Sequence, residues 1–216
     1  MIRLYGYWRS TAAYRVRIAL NLKNIEYETV AVNLIADGGE QRKEQYASLN
    51  PQRVVPTLMD GDAVIGQSMA ILEYLEEKFP EPPILPADPA RRALARQIGQ
   101  IVACEVHPLN NLRVLQYLEN ELGIAEAAKN CWYQHWVAEG FRAIERLVAT
   151  RRGEGPYCLG GSVTLADIYV VPQMYNAHRF KVPLESFPAL RSIEKACLQL
   201  APFLKAAPDN QPDAPK

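Results

Sequence analysis

Five prolines, Pro80, Pro82, Pro83, Pro86 and Pro89, divide this chain of 216 residues into two stretches of different character. Proline fixes φ and lacks an amide hydrogen, so the cluster continues neither helix nor strand and reads as an extended linker. Before it the pattern alternates. Ile2–Tyr7 reads as a strand, Ala13–Lys23 as a helix, Tyr27–Val32 as a strand and Glu40–Leu49 as a helix. Thr57–Asp60 and Ala63–Ile65 flank Gly61-Asp62, a hairpin signal. Ser68–Lys78 is then a helix, with Ile71, Leu72, Leu75 and Phe79 at helical spacing. The order β-α-β-α-β-β-α builds a small mixed sheet covered by helices.

After the prolines every signal is helical. Ile98, Ile101, Val102, Leu109, Leu112, Leu115 and Leu118 form one amphipathic run, with Pro108 as a kink or junction. Ala125–Ala149 carries Trp132, Trp136, Phe141, Ile144 and Leu147; Ala166–Asn176, Phe187–Leu200 and a few residues near Phe203 are shorter helices. The tail from Ala206, with Pro208, Pro212 and Pro215, reads as frayed. The expected organisation is an α/β domain over 1–82, a linker over 83–89 and an all-helical domain over 90–216.

Charge and cysteine content exclude several classes. Lys and Arg total 24, as do Asp and Glu, and no polybasic run appears, which argues against nucleic acid and anionic membranes as partners. The start is charged at Arg3 and runs into an alternating strand, unlike a secretory signal, and no apolar run approaches membrane-spanning length. Cys104, Cys131, Cys158 and Cys197 lack metal-ligand spacing and read as reduced core residues of a cytoplasmic protein; no metal site is expected.

Three turns of the first stretch can carry chemistry. Ser10 and Thr11 stand where the first strand enters its helix, where free N–H groups and the helix dipole favour an anion. A hydroxyl there either caps the helix or donates to an anion such as a thiolate. Pro56, after Val55, is either an ordinary loop proline or part of a cis turn exposing the Val55 N–H and C=O to an extended peptide. Gln67-Ser68 opens the next helix, with Ser68 placed to cap it and the helix N-terminus able to take a carboxylate. In the helical stretch, Thr164 and Asp167 have capping-box spacing, with Val163 and Ile168 as a hydrophobic staple, so Asp167 is structural. Arg9, Arg113 and Arg179 suit bidentate carboxylate contacts, though solvated surface arginine is the ordinary reading of each.

Together, Trp8-Arg9-Ser10-Thr11-Ala12-Ala13-Tyr14-Arg15-Val16-Arg17-Ile18-Ala19-Leu20, Asn50-Pro51-Gln52-Arg53-Val54-Val55-Pro56, Gln67-Ser68 and Thr164-Leu165-Ala166-Asp167 resemble the glutathione transferase superfamily. The first stretch and His107-Pro108-Leu109-Asn110-Asn111 are similar to its zeta class, which includes maleylacetoacetate and maleylpyruvate isomerases. The resemblance implies a thioredoxin-like first domain with cis-Pro56, a helical second domain and a homodimer. It implies glutathione as cofactor, with Ser10 facing the sulfur and Thr11 preserving a hydroxyl beside it. Val55 would pair with the cysteinyl unit, and Gln67 and Ser68 would hold the γ-glutamyl end. Gln41, His107 and Asn111 would make further contacts. Arg9, Arg113 and Arg179 would meet a small dicarboxylic oxo-acid, with Arg9 and Arg179 catalytic alongside Ser10. Many zeta members read Ser-Ser-Cys-Ser where this chain has Ser10-Thr11-Ala12-Ala13, so no mechanism here uses a protein thiol at that turn.

The implied activity is cis–trans isomerisation of maleylacetoacetate to fumarylacetoacetate in tyrosine and phenylalanine degradation. The alternatives are maleylpyruvate isomerisation in gentisate degradation, glutathione transfer to or dehalogenation of small α-haloacids, and a non-enzymatic binding module of the same fold.

Overall fold

A computed structural model describes residues 1–151 and 153–215. It divides into two compact units: Met1–Ile84 together with residues 198–215, and Leu85–Cys197.

The first unit is built on a four-stranded sheet, β1 (Ile2–Gly6), β2 (Tyr27–Ala31), β3 (Thr57–Asp60) and β4 (Ala63–Gly66), in the order β2-β1-β3-β4. β1 and β2 run parallel; β3 is antiparallel to both β1 and β4. The β3–β4 hairpin turns at Gly61-Asp62, where Gly61 has φ +61°, a conformation only glycine adopts without strain. Helices α1 (Thr11–Leu22) and α3 (Ser68–Lys78) pack together, with Val16, Leu20, Ile71, Leu72 and Leu75 fully buried. A Cβ on Gly6 would sit 3.2 Å from that of Ala13, so glycine lets β1 and α1 approach closely.

Two local expectations are corrected here. The helix expected over Glu40–Leu49 is a 3₁₀ turn, Glu40–Arg42, and a single α-helical turn, α2 (Glu44–Ala47), separated by Lys43 in extended backbone at φ −68°, ψ 146°. The tail is not frayed, and residues 198–215 cluster with the first unit rather than the helical one. One face of α1 explains this. Tyr14, Arg17 and Asn21, at helical spacing, donate to the Phe203, Ala206 and Pro202 carbonyls at 3.4, 2.9 and 3.0 Å. These carbonyls belong to or adjoin α9 (Ala201–Ala206). Beyond it the Gln211 amide ties the chain to the Lys205 and Ala207 carbonyls at 2.9 and 2.8 Å.

The second unit contains α4 (Pro89–Gln100), α5 (Leu112–Asn120), α6 (Glu126–Arg151), α7 (Leu165–Arg179) and α8 (Pro188–Cys197). Asp88 caps α4, its Oδ1 accepting from the Arg91 N–H at 2.8 Å, and Pro89 fills the first helical position. The junction expected at Pro108 is present. A π-helical segment, Ile101–Val106, leads into a 3₁₀ turn, Pro108–Asn110, before α5 starts. Gly140 on α6 lies against the Val106 side chain, where a Cβ would clash.

The capping box opens α7 as expected. The Thr164 N–H and hydroxyl donate to Asp167 Oδ2 at 2.8 and 3.0 Å, and the Cys158 N–H donates to Oδ1 at 2.7 Å. Asp167 is fully buried, and burial pushes its carboxyl above the usual range against the pull of these hydrogen bonds. All four cysteines are free, but only Cys158 and Cys197 are core residues; Cys104 and Cys131 are exposed. Among the described residues no helix is long and apolar enough to cross a membrane, and no group of His, Cys, Asp and Glu could hold a metal ion.

Candidate active site

Register alone gathers the candidates of the first unit at one end of the sheet. Tyr5 pairs with Thr57, Gly6 with Ala31, and Thr57 with Gly66. The Tyr7–Ser10 turn, the segment leading to Gln41, the Val55-Pro56 turn and Gln67-Ser68 therefore all leave the sheet at that end.

Ser10 caps α1. Its Oγ accepts from the Ala13 N–H at 3.2 Å, and its backbone is extended at φ −68°, ψ 116°. Because the oxygen accepts, its hydroxyl hydrogen is available to donate outward; cap and donor are one arrangement. Thr11 follows, buried at 3% exposure. The preceding peptide unit is held on both sides. The Trp8 N–H donates to Asp213 Oδ2 at 2.9 Å, and Arg17 Nη2 donates to the Trp8 carbonyl at 3.0 Å. The Arg9 guanidinium lies over the Trp8 ring, 5.1 Å from its centroid.

The Val55–Pro56 peptide is cis. Val55 is buried, and among the described residues neither its N–H nor its C=O has a hydrogen-bond partner. Two residues that sequence reasoning missed fix this turn. The Tyr46 hydroxyl and the Asn50 amide both donate to the Val54 carbonyl, at 2.7 and 2.9 Å, and both meet Thr57 Oγ1, at 2.8 and 3.0 Å. Burial pushes the Tyr46 phenol above its ordinary value, while the bonds to Thr57 and Asn50 pull it down. A tyrosine and an asparagine bracketing a turn are too common in sequence to signal such a network.

The cap position of α3 is not at Ser68, where the sequence placed it. Gln67, not Ser68, occupies the N-cap position of α3, in the left-handed region at φ +65°. Such backbone is uncommon for a residue with a side chain and concentrates at functional sites. Its Nε2 donates to Gln52 Oε1 at 2.6 Å. Ser68 is the first helical residue, buried, and its Oγ accepts from Arg15 Nη1 at 3.2 Å. Arg15 is 1% exposed, a buried cation that the sequence offered no reason to select. Gln41 is buried too; its Nε2 reaches the Leu34 carbonyl at 3.4 Å, and its Oε1 is buried with no partner among the described residues.

In the second unit, Asn111 caps α5, its Oδ1 accepting from the Arg113 N–H at 3.1 Å. His107 closes the π-helical segment, half-buried, and Arg113 is exposed. Tyr133 connects this segment to Arg179. Its carbonyl accepts from Asn110 Nδ2 at 3.4 Å, and its ring stacks on Phe180 at 3.6 Å between centroids. Arg179, exposed at the end of α7, lies over the other ring of that pair, 4.7 Å from the Phe180 centroid. Trp132 Nε1 adds a bond to the Leu109 carbonyl at 2.9 Å.

The profile of the glutathione S-transferase N-terminal domain matches residues 4–83. A probable maleylacetoacetate isomerase of Vibrio cholerae is 46% identical over 211 residues, covering 98% of this chain and 97% of that protein. The holo structure of a bacterial zeta-class maleylpyruvate isomerase superposes with a TM-score of 0.95 at 46% identity, covering 99% and 100% of the two chains. Maleylacetoacetate isomerase from Anaeromyxobacter dehalogenans, solved with glutathione bound, gives a TM-score of 0.88 at 42% identity over 100% and 98%. The fold is thus a thioredoxin-like domain followed by the helical domain of the glutathione transferases. The chain belongs to the zeta class of that family, with the maleylacetoacetate and maleylpyruvate isomerases.

Proposed function

We propose that this protein is a glutathione-dependent cis–trans isomerase of maleylacetoacetate. The observation that carries the reading is the convergence of Ser10, Val55 and Gln67-Ser68 at one end of the sheet. The residues present fit a peptide-like cofactor. The amide and carbonyl of Val55, a buried residue, and the buried Gln41 Oε1 lack partners among the described residues. Buried polar groups otherwise find hydrogen bonds.

Glutathione, when bound, supplies a thiolate that adds reversibly to the conjugated double bond, which turns while it is single. Ser10 donates its hydroxyl hydrogen to the sulfur, and the N-terminus of α1 adds favourable potential, so the anion is preferred. Val55 pairs through its backbone with the cysteinyl unit. Gln67 and Ser68 hold the γ-glutamyl carboxylate, and Thr11, Gln41, His107 and Asn111 complete the cofactor contacts. Arg9, Arg113 and Arg179 bind the two carboxylates of the substrate and stabilise negative charge developing on its oxo group. With Ala12 and Ala13 in the first turn of α1, no cysteine of that turn competes as nucleophile. The same reading makes the protein a cytoplasmic homodimer, the association being testable by sedimentation.

A second reading, maleylpyruvate as substrate, draws support from equal 46% identity to relatives named for either activity. The test follows loss of ultraviolet absorbance of each substrate in parallel with catalytic glutathione. Isomerisation without net thiol consumption supports the proposal, and the faster substrate chooses between the readings. Stoichiometric thiol consumption with small α-haloacids, without isomerisation, contradicts it in favour of transfer or dehalogenation. Failure to bind glutathione leaves a non-enzymatic module of this fold.

A further inference from the structure

The carboxy-terminal residues reach the turn that carries Arg9 and Ser10. Asp213 lies 205 positions along the chain from Trp8, yet its Oδ2 accepts the Trp8 N–H at 2.9 Å. On the other side of Trp8, Arg17 Nη2 donates to the carbonyl at 3.0 Å, while Arg17 Nε holds the Ala206 carbonyl at 2.9 Å. Arg17 is 2% exposed, so these bonds are sheltered from water. One buried arginine therefore grips both the turn and the base of the tail, and the tail returns a carboxylate to the same residue of the turn.

The tail between these contacts has its own ties. A 3₁₀ turn, Pro208–Asn210, is fixed by Asn210 Nδ2 donating to the Leu204 carbonyl at 2.7 Å, and the Ala214 N–H donates to the Gln211 carbonyl at 3.1 Å. Asp213 Oδ1 is buried and has no partner among the described residues. An ionisable oxygen withdrawn from water without a hydrogen bond is unfavourable, so a carboxylate is a poor choice for a strap that merely covers α1. Its other oxygen meets the one backbone N–H whose position sets where Arg9 and Ser10 begin.

We propose that Asp213 is a positioning residue of the catalytic turn. The strap over 207–215 holds the Trp8 peptide between two charged side chains, and Arg9 and Ser10 are thereby aimed at substrate and thiol. Catalytic constellations tolerate displacements of only fractions of an ångström, which is why a turn held from both faces outperforms one held by its own cap. The inference rests on the roles given above to Ser10 and Arg9.

Two readouts test it in the intact protein. Amide hydrogen exchange over residues 8–10 is measured without glutathione, and turnover is measured with it. Asp213→Ala, and a chain ending at Ala206, should both accelerate exchange at these amides at least tenfold. They should lower kcat by about tenfold, with less than a twofold change in KM for glutathione. Asp213→Asn, which keeps an acceptor for the Trp8 N–H, should restore slow exchange and most of the turnover. Unchanged exchange and unchanged kcat in both variants would overturn the inference, as would a lower melting temperature with neither readout altered. Absence of isomerase activity in the unmodified protein would instead refute the proposed function, leaving the exchange result to stand separately.

Discussion

Arg15 donates from its buried guanidinium to the side-chain oxygen of Ser68 at 3.2 Å, joining α1 to the first residue of α3. Arg15 thus stands behind the residue proposed to hold the γ-glutamyl carboxylate at the N-terminus of α3. The guanidinium also adds a full positive charge where the dipole supplies a partial one. Arg15→Met should weaken glutathione binding by roughly tenfold, equivalent to ~1.4 kcal/mol, while kcat falls less. Calorimetric titration measures the first and saturating kinetics the second. Unchanged affinity would leave Arg15 a packing residue.

Lys23 and Glu76 form a buried ion pair at 2.7 Å that anchors the end of the first unit. The ammonium also donates to the Phe79 and Pro82 carbonyls at 2.7 and 3.0 Å, and Glu76 Oε2 accepts the Ile84 N–H at 3.0 Å. The proline-rich segment is thus held by one lysine with all three hydrogens committed. Lys23→Met leaves Glu76 buried without its cation and should cost about 3–5 kcal/mol in denaturant unfolding. The double variant Lys23→Met/Glu76→Leu should recover part of that loss, because the uncompensated charge is gone. A single-variant loss below ~1 kcal/mol, the range of exposed pairs, would contradict the assignment.

Asp60 accepts from Lys78 Nζ at 2.5 Å and from the Tyr74 hydroxyl at 3.0 Å, and the Lys78 hydrogen bond holds its carboxyl below the usual carboxylate range. The folded state therefore binds this proton less tightly than the unfolded state. The stabilisation is fully present above the unfolded carboxylate value and is lost as pH falls through the folded one. Lys78→Met should raise the Asp60 titration midpoint, followed by carboxyl NMR, and flatten this part of the acid-side loss of stability. An unmoved midpoint would show that Lys78 is not the cause.

The Arg179 guanidinium lies over the Phe180 ring, which stacks on Tyr133. Its proposed task is to hold a substrate carboxylate. Arg179→Ala should raise KM for the dicarboxylate by tenfold or more while leaving glutathione affinity within about twofold, since a charge-assisted bond is worth ~1.5–3 kcal/mol. Equal losses in both would indicate damage to the fold, detectable as a lowered melting temperature.

The parts of this fold written in local chemistry were legible before any coordinates. The Gly61-Asp62 hairpin, the Ser68–Lys78 helix and the Thr164–Asp167 box each follow from a few adjacent residues whose physics is self-contained. What escaped is long-range or depends on backbone the side chains do not announce. Lys43 breaks an apparent helix by adopting extended backbone. Gln67 takes the cap position with a left-handed φ, displacing Ser68 into a contact with Arg15. The tail looks disordered by composition, but its order comes from Tyr14, Arg17 and Asn21 on a helix nearly two hundred residues earlier. Tyr46 and Asn50 likewise act only once β3 brings Thr57 beside them.

In the proposed mechanism Ser10, at the N-terminus of α1, ionises a thiol the protein does not itself supply. The direct measurement is an ultraviolet titration of thiolate absorbance for bound glutathione, in the unmodified protein and in Ser10→Ala. An unperturbed thiol titrates at about 8.5. The bound value should lie at least about one unit lower, equivalent to ~1.4 kcal/mol, and return toward the free value in Ser10→Ala. That variant should also lose about 1 kcal/mol of stability with the cap. A bound thiol that titrates like free glutathione, or a depressed value unchanged by Ser10→Ala, would contradict it.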